Sequence, residues 1–84
     1  MNTDQAQDVA AQAVASVAPE IDPDSVDPAA RLREDLDLDS LDFLNVIEAV
    51  RERTGVEIPE SDYPLITSIA SLASYLQERE AIRT

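Results

Sequence analysis

Apolar residues recur along the first stretch of the chain at Ala6, Val9, Ala10, Ala13, Val14 and Val17, the i, i+3, i+4, i+7 spacing that lines one face of a helix. Thr3 or Asp4 is placed to cap its start. Alanine fills much of the remainder with high helix propensity, and Pro19 cannot continue the backbone hydrogen bonding, so this helix is predicted to end near Ala18. The same period returns more strongly after Asp39-Ser40, two cap candidates, with Leu41, Phe43, Leu44, Val46, Ile47 and Val50 forming a broad apolar face. Gly55, the only glycine, follows Arg51 and Arg53, which suits a left-handed terminating residue after a basic last turn. Val56-Glu57-Ile58-Pro59 alternates and stops at proline, the pattern of a short extended connector. Ser61 or Asp62 restarts a helical piece that Pro64 keeps short. The last helix takes Thr67 or Ser68 as its cap, carries Ile69, Leu72, Ala73, Tyr75 and Leu76, and is predicted to fray over Gln77 to Glu80.

Residues 19–38 lack this periodicity. They hold Pro19, Asp22-Pro23 and Asp27-Pro28, with Ile21, Val26, Leu32 and Leu36 as scattered apolar anchors. Asp27 before Pro28 reads as a cap and first helical residue, so a short helical turn through Ala29, Ala30 and Leu32 is expected. A connection of this length exceeds the usual limit for structureless loops and is expected to be functional or partly ordered. There is no internal repeat and no hairpin signature. The expected fold is all-α, a small bundle of three main helices plus one short helix, with a long loop between helices 1 and 2. Ile47, Val50, Ile58, Ile66, Ile69 and Leu72 are its expected core, and 84 residues leave room for one domain spanning 1–84.

Charge narrows the function. Six arginines face 18 acidic residues for a net charge of −12, which repels nucleic acid and anionic membrane surfaces. Basic protein surfaces are the expected partners. High charge with few aromatics points toward disorder, but 44% apolar residues at helical spacing outweigh it. The chain has no His, Cys or Lys, the usual general bases, thiol nucleophiles and Schiff-base amines, so independent catalysis is not expected. His/Cys zinc sites and disulfides are excluded. Met1-Asn2-Thr3-Asp4 lacks the basic start of a signal peptide, and no run reaches transmembrane length. A cytoplasmic, monomeric protein is expected.

Five carboxylates fall between Glu34 and Asp42 with no basic residue among them. Asp35, Asp37 and Asp39 match the first, third and fifth places of an EF-hand loop, but Ser40 stands where its glycine is needed and Val46 where its bidentate glutamate is needed. No designed metal site is expected, only loose divalent-ion binding that relieves charge. Ser40 draws attention for another reason. At the head of the strongest helix its hydroxyl lies beside unpaired backbone N–H groups and the positive end of the helix dipole, where an attached phosphate is favoured. The bland alternative is that Ser40 simply caps the helix.

Asp39-Ser40-Leu41-Asp42, set between an acidic loop and an apolar-acidic helix, resembles the phosphopantetheine attachment site of acyl carrier proteins. The likeness runs from about Leu32 to Leu76 and takes in Glu34-Asp35-Leu36, Val56-Glu57-Ile58-Pro59, Ile66-Thr67-Ser68-Ile69 and Tyr75. The resemblance implies a freestanding, type II carrier. It implies that Ser40 receives 4'-phosphopantetheine from coenzyme A through a separate Mg²⁺-dependent phosphopantetheinyl transferase, and that acyl-loading and acyl-using enzymes dock by basic surfaces. Asp39, Leu41, Asp42, Glu48 and Glu52 are the expected recognition residues. For Leu41 a core position is an equal alternative, and for the acids a merely solvated face. The resemblance also implies a core able to open to an acyl chain.

Some positions depart from the fatty-acid carriers. Asp37 stands where many have glycine, Asn45, Glu48 and Arg51 where acidic, apolar and acidic residues are usual, and Thr54 where an aromatic is usual. These departures favour a specialised acyl, polyketide or aminoacyl pathway over housekeeping fatty acid synthesis. A peptidyl carrier, or an unmodified acidic module docking by its second helix, remains the alternative.

Overall fold

Capping at Asn2, one residue before the expected caps, sets the start of α1, Thr3–Val17. The Asn2 side chain accepts from the Gln5 N–H at 2.8 Å and the Gln5 side chain accepts from the Asn2 N–H at 3.0 Å. This reciprocal pair satisfies two backbone donors that neither Thr3 nor Asp4 serves. The computed structural model describes the backbone of residues 1–83 and the side chains of residues 1–80. α2 spans Ser40–Thr54 and stops at Gly55, whose φ of 74° is left-handed as its position predicts. A 3₁₀ helix, Glu60–Leu65, starts slightly ahead of Ser61 and contains Pro64. α3 spans Ile69–Arg83. The architecture is all-α, as the periodicity requires, and among the described residues the only β-type pairing is an isolated antiparallel bridge between Arg31 and Ser68.

α1 packs along both α2 and α3, which touch each other little. Ala10, Ala13 and Val14 of α1 meet Val46 and Val50 of α2 and Leu72 and Leu76 of α3 in one buried cluster. All six expected core residues are buried. Val56 and Ile58 face inward while Glu57 and Pro59 face out, so the connector alternates as an extended segment should.

The long loop is ordered by backbone hydrogen bonds rather than by helix. Asp22 and Asp27 each accept from the N–H two residues on, both at 2.9 Å, the turn that aspartate side chains favour. The helical turn expected after Asp27 is present, closed by the Ala30 N–H on Asp27 O at 2.9 Å, but it does not run on to Leu32. Leu32 is buried and donates its N–H to Thr67 O at 2.9 Å, the Ala70 N–H reaches Pro28 O at 2.8 Å, and the Leu38 N–H returns to Leu32 O at 3.0 Å. Ile21, Val26 and Leu36 pack against the core from the outside.

α3 continues where fraying was expected. Ser68 and Ser71 accept from each other's N–H groups at its start, and Gln77 reaches Thr3 of α1 at 3.3 Å. Arg79 donates to the Tyr75 hydroxyl at 2.9 Å and to Asp62 at 3.2 Å, while the Tyr75 hydroxyl donates to Asp62 at 2.6 Å. That triad also ties the 3₁₀ helix to α3. A T-shaped contact between Phe43 and Tyr63, centroids 5.3 Å apart, ties it to α2.

Candidate functional site

The segment that delivers the chain to Ser40 is shaped by one backbone reversal. Leu38 is buried and Asp37 has a φ of 60°, the only positive value outside glycine among the described residues. Aspartate tolerates this region better than most L-residues. A glycine at this position, which the resemblance leads one to expect, would meet the same backbone demand without steric cost.

Asp39, not Ser40, caps α2. Its Oδ1 accepts from the Asp42 N–H at 2.8 Å, and Asp42 Oδ2 accepts from the Asp39 N–H at 3.3 Å. Ser40 is therefore the first helical residue. It is exposed, and its hydroxyl makes no hydrogen bond among the described residues. The capping alternative for Ser40 fails because the preceding aspartate already performs that work. An unengaged hydroxyl, next to the first amides of a helix, is a nucleophile an external enzyme can reach and a root at which a phosphodiester is well placed.

Beside Ser40 lies an open cleft of about 640 Å³. Leu32, Phe43, Leu44, Tyr63, Pro64 and Ile66 form its apolar lining, and Arg31, Arg33, Glu34, Glu60 and Thr67 its polar rim. It sits between the end of the long loop, the first turns of α2 and the 3₁₀ helix.

The acidic cluster does not converge. Among the described residues no three carboxylates stand where one metal ion would be held. Arg31 takes Asp35 at 3.3 Å and Glu34 at 3.4 Å. The Arg31 backbone N–H, followed by its guanidinium, holds the Asp35 carboxyl below its ordinary range. Asp39 and Asp42 are spent on the cap.

Leu41 is 66% exposed, which places it on the surface rather than in the core. At 3.6 residues per turn, Leu41, Asn45, Glu48 and Glu52 fall on one stripe opposite Phe43, Val46 and Val50. All four are exposed. Glu48 bonds to Arg51 at 3.0 Å, whereas Glu52 has no ion pair among the described residues. The structure adds Leu44, 48% exposed, and Leu65, 62% exposed. For Leu44 the signal lay in the sequence, since the apolar face of α2 is wider than a core-facing stripe requires. Arg33, on the cleft rim, had no signal beyond being an arginine in an acidic run.

Comparison with known proteins agrees with this site. Residues 8–76 match the family model described as a phosphopantetheine attachment site. The chain is 37% identical over 60 residues to an acyl carrier protein of Rubrobacter xylanophilus, covering 71% of this chain and 74% of that one. It is 36% identical over 59 residues to an acyl carrier protein of Bdellovibrio bacteriovorus, covering 70% and 76%. A Schizosaccharomyces pombe relative, named as a mitochondrial acyl carrier protein, is 40% identical over 55 residues, 66% of this chain and 49% of that one. With an exposed serine hydroxyl at the head of a capped helix inside the matched region, the chain belongs to the acyl carrier protein family, and its prosthetic group is 4'-phosphopantetheine.

Proposed function

We propose that residues 1–84 form a single carrier domain on which Ser40 bears the 4'-phosphopantetheine, serving a fatty acid, polyketide or specialised acyl pathway. The observation that carries this reading is the division of labour at the head of α2, where Asp39 caps and leaves the Ser40 hydroxyl free. In attachment, Ser40 Oγ would form a phosphodiester as the pyrophosphate bond of coenzyme A breaks and its adenosine bisphosphate half leaves, with the hydroxyl proton taken by a base of the transferase. When bound, the group supplies a terminal thiol that holds an acyl group as a thioester. Asp39 and Asp42 fix the direction in which Ser40 points. Leu32, Phe43 and Ile66 offer an apolar wall beside it.

Leu41, with Glu48 and Glu52 behind it on one stripe, forms the recognition face, on which a leucine enters an apolar pocket and carboxylates meet basic residues. Asp39 and Asp42 extend that negative field to the helix head. The chain acts as a substrate of its partners and not as a catalyst, a role supported by the absence of His, Lys and Cys. We place it in the cytoplasm as a monomer, on the strength of its cysteine-free composition and its charge. The acidic setting of Ser40 favours acyl over aminoacyl cargo.

The test is an intact mass after incubation with coenzyme A, Mg²⁺ and a broad-specificity phosphopantetheinyl transferase. Wild type is expected to gain one phosphopantetheine and Ser40→Ala none. An unchanged mass, under conditions that modify another carrier, would replace this reading with an unmodified interaction module. Loading assays with fatty acyl, malonyl and aminoacyl donors then separate the pathways.

A further inference from the structure

Two arginines line the cleft beside Ser40, and they are bound differently. Arg31 is held by Glu34 and Asp35. Arg33 has no carboxylate within ion-pair distance among the described residues, although the chain carries 18 acidic side chains against 6 arginines. Its guanidinium lies 5.8 Å from the centroid of Phe43, and Phe43 stands three residues, close to one helical turn, after Ser40. Arg33, Phe43 and Ser40 all line the same cleft. A guanidinium resting on an aromatic ring is oriented by it while its N–H fork stays available for an oxyanion.

We infer that Arg33 binds the phosphodiester at Ser40, holding the root of the prosthetic arm against Phe43 and aiming it over the cleft instead of outward. The inference rests on the proposed modification of Ser40. Its physical logic is charge: the phosphodiester adds a negative charge to a chain already at −12, and Arg33 is the cation on the cleft rim that no carboxylate among the described residues has claimed. An acidic cargo offers the same oxyanion chemistry. The phosphodiester is favoured because it is fixed to Ser40 itself and is present whatever the cargo. Arg33 is thus a positioning residue for the arm.

The experiment uses the full chain unmodified, modified without cargo, and modified and loaded with an acidic acyl group, as wild type, R33Q and R53Q. Arg53 also lacks an ion pair among the described residues but lies in the last turn of α2, so R53Q removes the same charge far along the helix. Modification is expected to move the Arg33 Nε–Hε resonance of wild type. The ³¹P resonance of the modified protein is expected to shift in R33Q, to match wild type in R53Q, and to lose its difference as salt rises. A wild-type ³¹P position shared by R33Q, or an equal shift in R53Q, overturns the inference. If R33Q does not fold, the wild-type Nε–Hε resonance decides alone: movement on modification supports the contact and immobility overturns it. A response confined to protein loaded with an acidic acyl group assigns Arg33 to cargo and also overturns it. Failure to gain mass overturns the carrier reading and this inference together, whereas mass gain without a ³¹P difference overturns this inference only.

Discussion

α1 and α2 are both fifteen residues long and both begin with a reciprocal capping box, yet they spend their apolar residues differently. α1 uses mostly alanine and valine and turns them inward, with Ala6, Ala10, Ala13 and Val14 fully buried. α2 fills its core with Phe43, Val46, Ile47 and Val50 and still leaves two leucines outside. Leu41 and Leu44 add little to the core, so the apolar surface they expose is available to a partner rather than used by the fold. The contrast shows that α2 carries more apolar surface than its core requires, that the surplus lies close to Ser40, and that this is the surface the proposed recognition face uses.

The sharpest way to break this comparison is to truncate a leucine on each side of it. Leu72→Ala removes a fully buried side chain and is expected to cost about 2–5 kcal/mol, enough to unfold much of so small a domain in a urea melt. Leu41→Ala is expected to leave the melt within about 0.5 kcal/mol of wild type, while weakening transferase binding in a modification-rate assay. Equal losses of stability would show that α2 has no surplus.

The two capping boxes give a second test. Asn2→Ala and Asp39→Ala should each cost about 0.5–2 kcal/mol, but only Asp39→Ala should slow the modification of Ser40. Equal modification rates would mean that the cap does not present the hydroxyl.

A smaller effect concerns the clamp between α3 and the 3₁₀ helix. Burial first, then the hydrogen bond to Asp62, raises the Tyr75 phenol above its ordinary value. A raised folded value means that this stabilisation is complete below the unfolded tyrosine value, near 10, and is lost as pH rises through the folded value. Thermal melts between pH 9 and 12 should therefore fall less steeply for Tyr75→Phe than for wild type, and parallel curves would remove Tyr75 from the clamp. Smallest of all is Asp37→Gly, which relieves a left-handed aspartate at the expense of backbone entropy and is expected to change stability by less than about 1 kcal/mol. Its use is as a partner to Asp37→Val, which should destabilise by at least about 1 kcal/mol, because a β-branched residue is a steric outlier at this φ.

Much of this architecture was legible because it is written locally. Helix period, Pro19 and Gly55 act within a few residues of where they stand, so α1, α2 and the break before the 3₁₀ helix follow from short stretches of sequence. The misreadings have a common cause. Asn2 in place of Thr3 or Asp4, and α3 persisting past Gln77, depend on which competing side chain wins a backbone donor and on contacts with residues far away in the chain, Thr3 and Asp62. The helical turn after Asp27 stops short of Leu32 because the bonds from Leu32 to Thr67 and from Ala70 to Pro28 hold the loop against the start of α3. At the site, Asp-Ser-Leu-Asp stood out at once, but two adjacent residues could each have capped α2.

By itself the sequence determined that the chain is helical, where its main helices fall, that it carries no His, Cys or Lys, and which serine stands at the head of the acidic helix. Those properties rest on residue chemistry and on periods that repeat every few positions. Only the tertiary structure decided that the Ser40 hydroxyl is unengaged, that Leu41 and Leu44 face out while Phe43 faces in, and that Arg33 reaches a cleft it shares with Ser40. Exposure is set by what the other elements cover, and the loop that carries Arg33 is placed by hydrogen bonds to Thr67 and to Ala70 of α3, far along the chain.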